Sequence, residues 1–138
     1  QYGVACCLMH NRSEPIYQDY LNDVVADLKE CVRIAKDVGI SDDKIILDPG
    51  VGFGKTYQMN LEIINHVDVL HSLGFPILLG TSRKSVIGQT LNLPTDQRVE
   101  GTLATTVVGV LKGCAFVRVH DIKENKRVIQ MTEAIMGR

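Results

Sequence analysis

Along the chain, short apolar runs alternate with longer stretches in which apolar residues recur every three or four positions. The runs at 5–9, 44–47, 76–79 and 115–119 predict four strands, each apolar nearly throughout, as strands buried on both faces should be. After the first run, Tyr17, Tyr20, Leu21, Val24, Leu28, Cys31, Ala35 and Val38 form one helical stripe, and Gly39 ends it. Leu61, Ile64 and Val67 mark a second helix that stops at Gly74. A third, capped by Thr95 or Asp96, runs through Leu103, Val107, Val110 and Leu111 to Gly113. In a fourth, which carries Val128, Ile129, Thr132 and Ile135, Asp121 and Glu124 have capping-box spacing. Strand followed by helix, four times over, is the pattern of βα units on a parallel sheet.

The repeat length says more. Four units in 138 residues are about 34 residues each, and eight would approach the roughly 250 residues of a closed (β/α)8 barrel. The chain therefore reads as an α/β half barrel with no internal boundary between residues 1 and 138. With Gln1 rather than Met in first place, it is expected to be part of something longer. Fifteen Lys and Arg balance 16 Asp and Glu, and the absence of like-charge blocks argues against nucleic acid or an anionic membrane as partner. No apolar run approaches the roughly 20 residues of a membrane span, and the first residues do not show the basic and apolar regions expected of a signal peptide. Cys6, Cys7, Cys31 and Cys114 have neither metal-site spacing nor the density of a disulfide scaffold, which suits a reducing cytoplasm.

In parallel βα architectures ligands meet the carboxyl ends of the strands. Those ends are polar here: His10, Asn11 and Arg12 after the first strand, DPGVGFGKT from Asp48 after the second, GTSRKS from Gly80 after the third, and RVHD from Arg118 at the fourth. Arg118 interrupts an apolar strand and shares a face with His120, while Val117 and Val119 share the other. Arg118 serves either a buried carboxylate or a bound anion, and His120 beside it favours the anion, best a phosphate. Asp48 could accept two parallel hydrogen bonds from the adjacent NH and NH2 donors of a heterocycle, or simply cap the turn begun by Pro49 and Gly50.

The glycine-rich run matches neither nucleotide fingerprint. A phosphate-binding loop needs glycine where Pro49 stands, and the dinucleotide motif needs it where Lys55 stands. Its glycines allow close approach to a flat ligand, with Phe53 either lying against a ring or anchoring the loop. Arg83 and Lys84 add two cations on the same side, beside Ser82 and Ser85.

LMH at 8–10, LDPGVGFGK at 47–55, LLGTSRKS at 78–85 and RVHD at 118–121 together resemble the dihydropteroate synthase family, in its order and spacing. The resemblance implies strands five to eight of a pterin-binding (β/α)8 TIM barrel. It implies a transferase of folate biosynthesis, a sulfonamide target, that joins 6-hydroxymethyl-7,8-dihydropterin diphosphate to p-aminobenzoate and releases pyrophosphate in the presence of Mg2+. By this likeness Asp48, Lys84, Gly80, Phe53, Met9 and Leu78 contact the pterin, and Arg118, Val119 and His120 bind the diphosphate. Phe53, Lys84, Ser85 and Arg83 shape the p-aminobenzoate pocket. The metal ligand belongs to the first barrel half, which has no counterpart here, so the piece alone is expected to be inactive and to self-associate, whereas the whole enzyme forms a homodimer. The other reading is a pterin-binding module that handles methyltetrahydrofolate; the anion-binding Arg118 and His120 speak for the synthase.

Overall fold

The computed structural model describes residues 2–138. Its elements follow the expected alternation: β1 (Cys6–Met9), α1 (Tyr20–Asp37), β2 (Ile45–Asp48), α2 (Tyr57–Asn65), β3 (Leu78–Leu79), α3 (Ser85–Leu91), α4 (Val99–Leu111), β4 (Phe116–Val117) and α5 (Ile122–Ile135). β1 pairs with β2 and β3 with β4, all parallel, and a parallel bridge between Leu47 and Ile77 joins the two pairs. Spatial order is therefore chain order, as successive right-handed βα connections produce.

The alternation of side chains sorts the strands into two faces. Ile45, Leu47, Ile77 and Leu79 point to the helices and are almost wholly buried. They meet Val24, Leu28, Val32 and Ala35 of α1, Ile63 and Ile64 of α2, and Val86 and Ile87 of α3. The opposite face, with Cys7, Met9, Ile46, Asp48, Leu78, Gly80, Phe116 and Arg118, is the concave one. It is only partly covered: Cys7 is exposed and Phe116 is 47% exposed. The expectation of strands buried on both faces thus holds for the helix-facing side, while the concave side is buried at Asp48 and Gly80 and open at Cys7 and Phe116.

The helices depart from expectation in specific places. α1 buries Val32, which the stripe omitted, and leaves Val38 exposed beyond its last turn. The second helix gives way at His66 to a 3-10 segment, Val67–Leu73, that buries Val67 and Leu70 before Gly74. Its start is fixed by Thr56, whose hydroxyl accepts the Met59 N–H at 3.3 Å, a cap that was overlooked. The third is α4, entered through a 3-10 turn at Thr95–Gln97, and a further helix that the periodicity did not mark, α3, stands between it and β3. Neither Thr95 nor Asp96 caps α4; Arg98 holds that position without a side-chain capping bond. Asp121 stands at the start of α5 but does not cap it, because its carboxylate is taken by the stronger charge-assisted pair with Arg83, at 2.8 and 3.3 Å. All four cysteines are free thiols, and among the described residues no helix is long and apolar enough to cross a membrane.

Candidate functional site

The concave face ends at one rim, where the loops after all four strands meet. β2 delivers Asp48 there in register with Met9 of β1, and the Asp48 carbonyl accepts the His10 N–H at 2.9 Å. The Asp48 side chain is 2% exposed. One carboxylate oxygen, Oδ1, accepts the Gly50 N–H at 2.8 Å; the other, Oδ2, has Arg118 Nη2 at 3.7 Å, beyond hydrogen-bond range. The turn-capping and ligand-accepting readings of Asp48 thus divide between its two oxygens, since a carboxylate has lone pairs for both.

Arg118 leaves the apolar run of β4 for the rim. Its backbone N–H donates to Leu79 at 3.0 Å, which ties it to β3, while its side chain is 62% exposed. Gly80 provides its space: a Cβ there would lie 3.0 Å from Nη2. Gly80, Ser82, Lys84, Arg118, Val119 and His120 line a hollow of about 170 Å³. Lys84 donates to the Val51 carbonyl at 2.6 Å and sits 5.1 Å over the Phe53 ring, so cation and aromatic ring form one wall between two loops. Burial lowers the Lys84 pKa, and Arg118 adds to this, while Asp48 opposes it.

His120 is set by Ser82, whose hydroxyl accepts the His120 backbone N–H at 3.1 Å and lies 2.7 Å from Nδ1. A hydroxyl that accepts from the backbone still has its own proton to give to Nδ1, the arrangement that puts the imidazole N–H on Nε2.

Two expected residues stand apart. Arg83 is not a free cation of the site: it is paired with Asp121, and its left-handed backbone (φ +59°) is braced by Arg98 on its carbonyl at 2.8 Å and Thr102 on its N–H at 3.1 Å. Ser85, the first residue of α3, is exposed and borders a separate groove with Gly88, Asn92, Pro94 and Arg98. Met9 and Leu78 lie on the concave face but do not line the hollow, and Val119 borders it. Sequence reasoning passed over the bond from Ser82 to His120 and the bracing by Arg98. Ser82 was within reach, inside a quoted motif; nothing in the spacing marked Arg98.

A family model described as pterin binding enzyme matches residues 1–120. The chain belongs to the pterin-binding enzyme family. It is 58% identical to the dihydropteroate synthase of Clostridium beijerinckii, over 100% of this chain and 52% of that protein. With the dihydropteroate synthase of Bacillus subtilis it shares 47%, over 100% of this chain and 48% of that one. A crystal structure of the Clostridium difficile dihydropteroate synthase in the presence of pteroic acid superposes with a TM-score of 0.95 at 45% identity, covering 97% of this chain and 51% of the other. This pterin-binding family member thus spans about half the length of the curated relatives it matches. Its structural neighbours are TIM-barrel enzymes, and its four parallel βα units are half of such a barrel.

Proposed function

We propose that this chain supplies strands five to eight, as one continuous half barrel, of a cytoplasmic dihydropteroate synthase whose full-length form is a homodimer. The enzyme joins 6-hydroxymethyl-7,8-dihydropterin diphosphate to p-aminobenzoate, giving 7,8-dihydropteroate and pyrophosphate in folate biosynthesis, and is a target of sulfonamides. One observation carries the reading: a buried carboxylate, Asp48, keeps one oxygen without a hydrogen-bond partner beside a hollow lined by Arg118, Lys84 and His120. That oxygen faces Arg118 Nη2 at 3.7 Å and has lone pairs left to accept from a ligand in the hollow.

In this assignment Asp48 Oδ2 accepts the NH and NH2 edge of the pterin, whose ring lies against Phe53 and Lys84 and over Gly80, with Met9 and Leu78 on the strand face behind it. Arg118 and the Nε2–H of His120 hold the diphosphate, with Val119 at the border. Lys84 and Phe53 form the wall shared with p-aminobenzoate. Ser85, exposed at the start of α3, stands on the p-aminobenzoate side, and Arg83 beside it fixes the backbone that presents Lys84.

The bond between the methylene carbon and the diphosphate oxygen breaks with its electron pair on pyrophosphate. The amine lone pair of p-aminobenzoate forms the C–N bond, and the amine proton passes to solvent. Positive charge on the methylene spreads into the pterin ring, so the protein has chiefly to orient the ring and stabilise the departing anion. No side-chain nucleophile is needed. Mg2+ belongs to the diphosphate and to residues outside this chain. Among the described residues no group of three or more His, Cys, Asp or Glu side chains is placed to hold a metal.

The full-length enzyme should bind p-aminobenzoate tightly only with pyrophosphate or the pterin diphosphate present. Tight methyltetrahydrofolate binding, with no response to p-aminobenzoate and pyrophosphate, would overturn the assignment.

A further inference from the structure

Behind the rim, a chain of side-chain contacts runs from α1 to the glycine-rich loop. Asp27, on α1, receives Arg12 through Nε at 2.7 Å and Nη2 at 3.1 Å, and meets His10 Nε2 at 2.9 Å. On the other side of the imidazole, Lys55 Nζ lies 2.9 Å from Nδ1 and also donates to the carbonyls of Gly50 and Phe53, each at 2.9 Å. An ammonium has three donors and no acceptor, so the three contacts use all of them and Nδ1 must accept. The ring proton then sits on Nε2, where Asp27 receives it, and His10, 1% exposed, is the neutral Nε2–H tautomer.

The same loop is pressed backbone to backbone against the end of β1. A Cβ on Gly50 would overlap the His10 carbonyl, and one on Gly54 would overlap the backbone of Arg12. With the Gly50 and Phe53 carbonyls drawn in towards Lys55, the neighbouring groups serve the hollow. The Gly50 N–H holds Asp48 Oδ1, the Val51 carbonyl receives Lys84, and the Phe53 ring lies under Lys84.

We propose that Lys55 is a positioning residue for the pterin slot: its ammonium, held by a neutral His10, fixes the loop whose Gly50 N–H anchors Asp48 and whose Phe53 packs on Lys84. The inference rests on the reading of the hollow as a pterin site. Lys55 touches none of the reacting atoms and acts through the loop.

The groups around the pair agree with these protonation states. His10 faces Asp27 of α1, Arg12, the Tyr17 ring with centroids 6.1 Å apart, and Lys55. Burial lowers its pKa; Lys55 and Arg12 add to this and Asp27 opposes it. Lys55 is brought down to about 8, first by burial and further by Lys84, with Asp48 and Asp27 opposing, so the ammonium prevails at neutral pH.

In the full-length enzyme, Lys55→Met should raise KM for the pterin diphosphate about tenfold or more, the worth of a charged donor. Because the loop acts on binding, kcat should change less than about threefold, and Lys55→Arg should recover part of the loss. A folded Lys55→Met enzyme with unaltered KM would overturn the proposal. If that variant does not fold, side-chain 15N spectra of wild-type His10 decide. A neutral ring protonated on Nε2 below pH 6.5 is expected; a proton on Nδ1 at neutral pH refutes the network. Failure of the wild-type enzyme to bind the pterin diphosphate would sink the synthase reading instead, and the 15N result does not depend on it.

Discussion

Replacing Asp48 by Asn separates the two uses of its carboxylate. The Asn Oδ1 can still accept the Gly50 N–H, now at 2.8 Å, so the turn keeps its cap. The other oxygen becomes an NH2 group and confronts the donor edge of the pterin with more donors. At least one charge-assisted hydrogen bond is lost, worth about 1.5–3 kcal/mol. At 1.4 kcal/mol per tenfold, pterin affinity should fall roughly ten- to hundredfold. Stability should not fall with it. The Arg118 guanidinium is 62% exposed and 3.7 Å from the carboxylate, so that ion pair contributes about 0–1 kcal/mol, and removing a buried charge offsets its loss. Calorimetric titration of the full-length enzyme with the pterin diphosphate, alongside a melting curve, reads both quantities. Affinity within twofold of wild type, or an unaltered affinity with a melting point several degrees lower, would show Asp48 to be a turn residue and nothing more.

Arg118→Met should weaken pyrophosphate binding and flatten its salt dependence while leaving Tm nearly unchanged, since the side chain makes no hydrogen bond in the fold; an unaltered pyrophosphate affinity by titration would count against the anion role. Gly54→Ala should cost several kcal/mol in denaturant unfolding, because φ is +59° and a Cβ meets the Arg12 backbone; a loss below about 1 kcal/mol would mean that the loop stands off from β1. Lys55 gives opposite pH trends. Its folded pKa, about 8, lies below the ordinary 10.5, so its contribution to stability is complete above 10.5 and is lost as pH falls towards 8. Deprotonation over the same range removes one donor from the loop, so pterin affinity should decline as stability rises, and neither trend should survive in Lys55→Met. The 138-residue chain expressed alone should self-associate through its open strand edges and uncovered concave face, and a stable monomer in micromolar sedimentation runs would contradict this.

The strand order and the helix-facing core were legible in the sequence because both follow from periodicity. Ile45, Leu47, Ile77 and Leu79 alternate with concave-face residues, and the spacing of Val24, Leu28 and Ala35 fixes the inner stripe of α1. Helix breaks were not legible where tertiary contacts decide them. The run around Leu61, Ile64 and Val67 keeps one apolar period, yet the backbone tightens after His66. Asp121 illustrates the same limit for the site. Its spacing to Glu124 fits a capping box, but Arg83, 38 residues away, claims the carboxylate. Asp48, Lys84, Arg118 and His120 were found because each is a polar residue at a strand end; the bonds from Ser82 to His120 and from Lys55 to His10 link different loops and leave no period to read.

The pairing of Arg83 with Asp121 clarifies the charge around Asp48. Around Asp48 stand Arg118 and Lys84 at the hollow and Lys55 behind the loop, one carboxylate against three cations. Lys55 has its three donors committed to His10 and the loop, and Lys84 spends one on Val51. Among the described residues the Arg118 side chain has no hydrogen-bond partner, and it stands just beyond β4, two residues before His120. Under the proposed assignment a departing diphosphate meets an Arg118 side chain free to receive it, while Lys55, behind the ring slot, already has its donors committed. On the proposed reading such a division would place the stabilisation where negative charge develops, at the leaving oxygen. If it is correct, the charge-conserving change Arg118→Lys should lower kcat more than it raises KM for the pterin diphosphate, because one ammonium cannot reproduce the fork of the guanidinium on the developing anion.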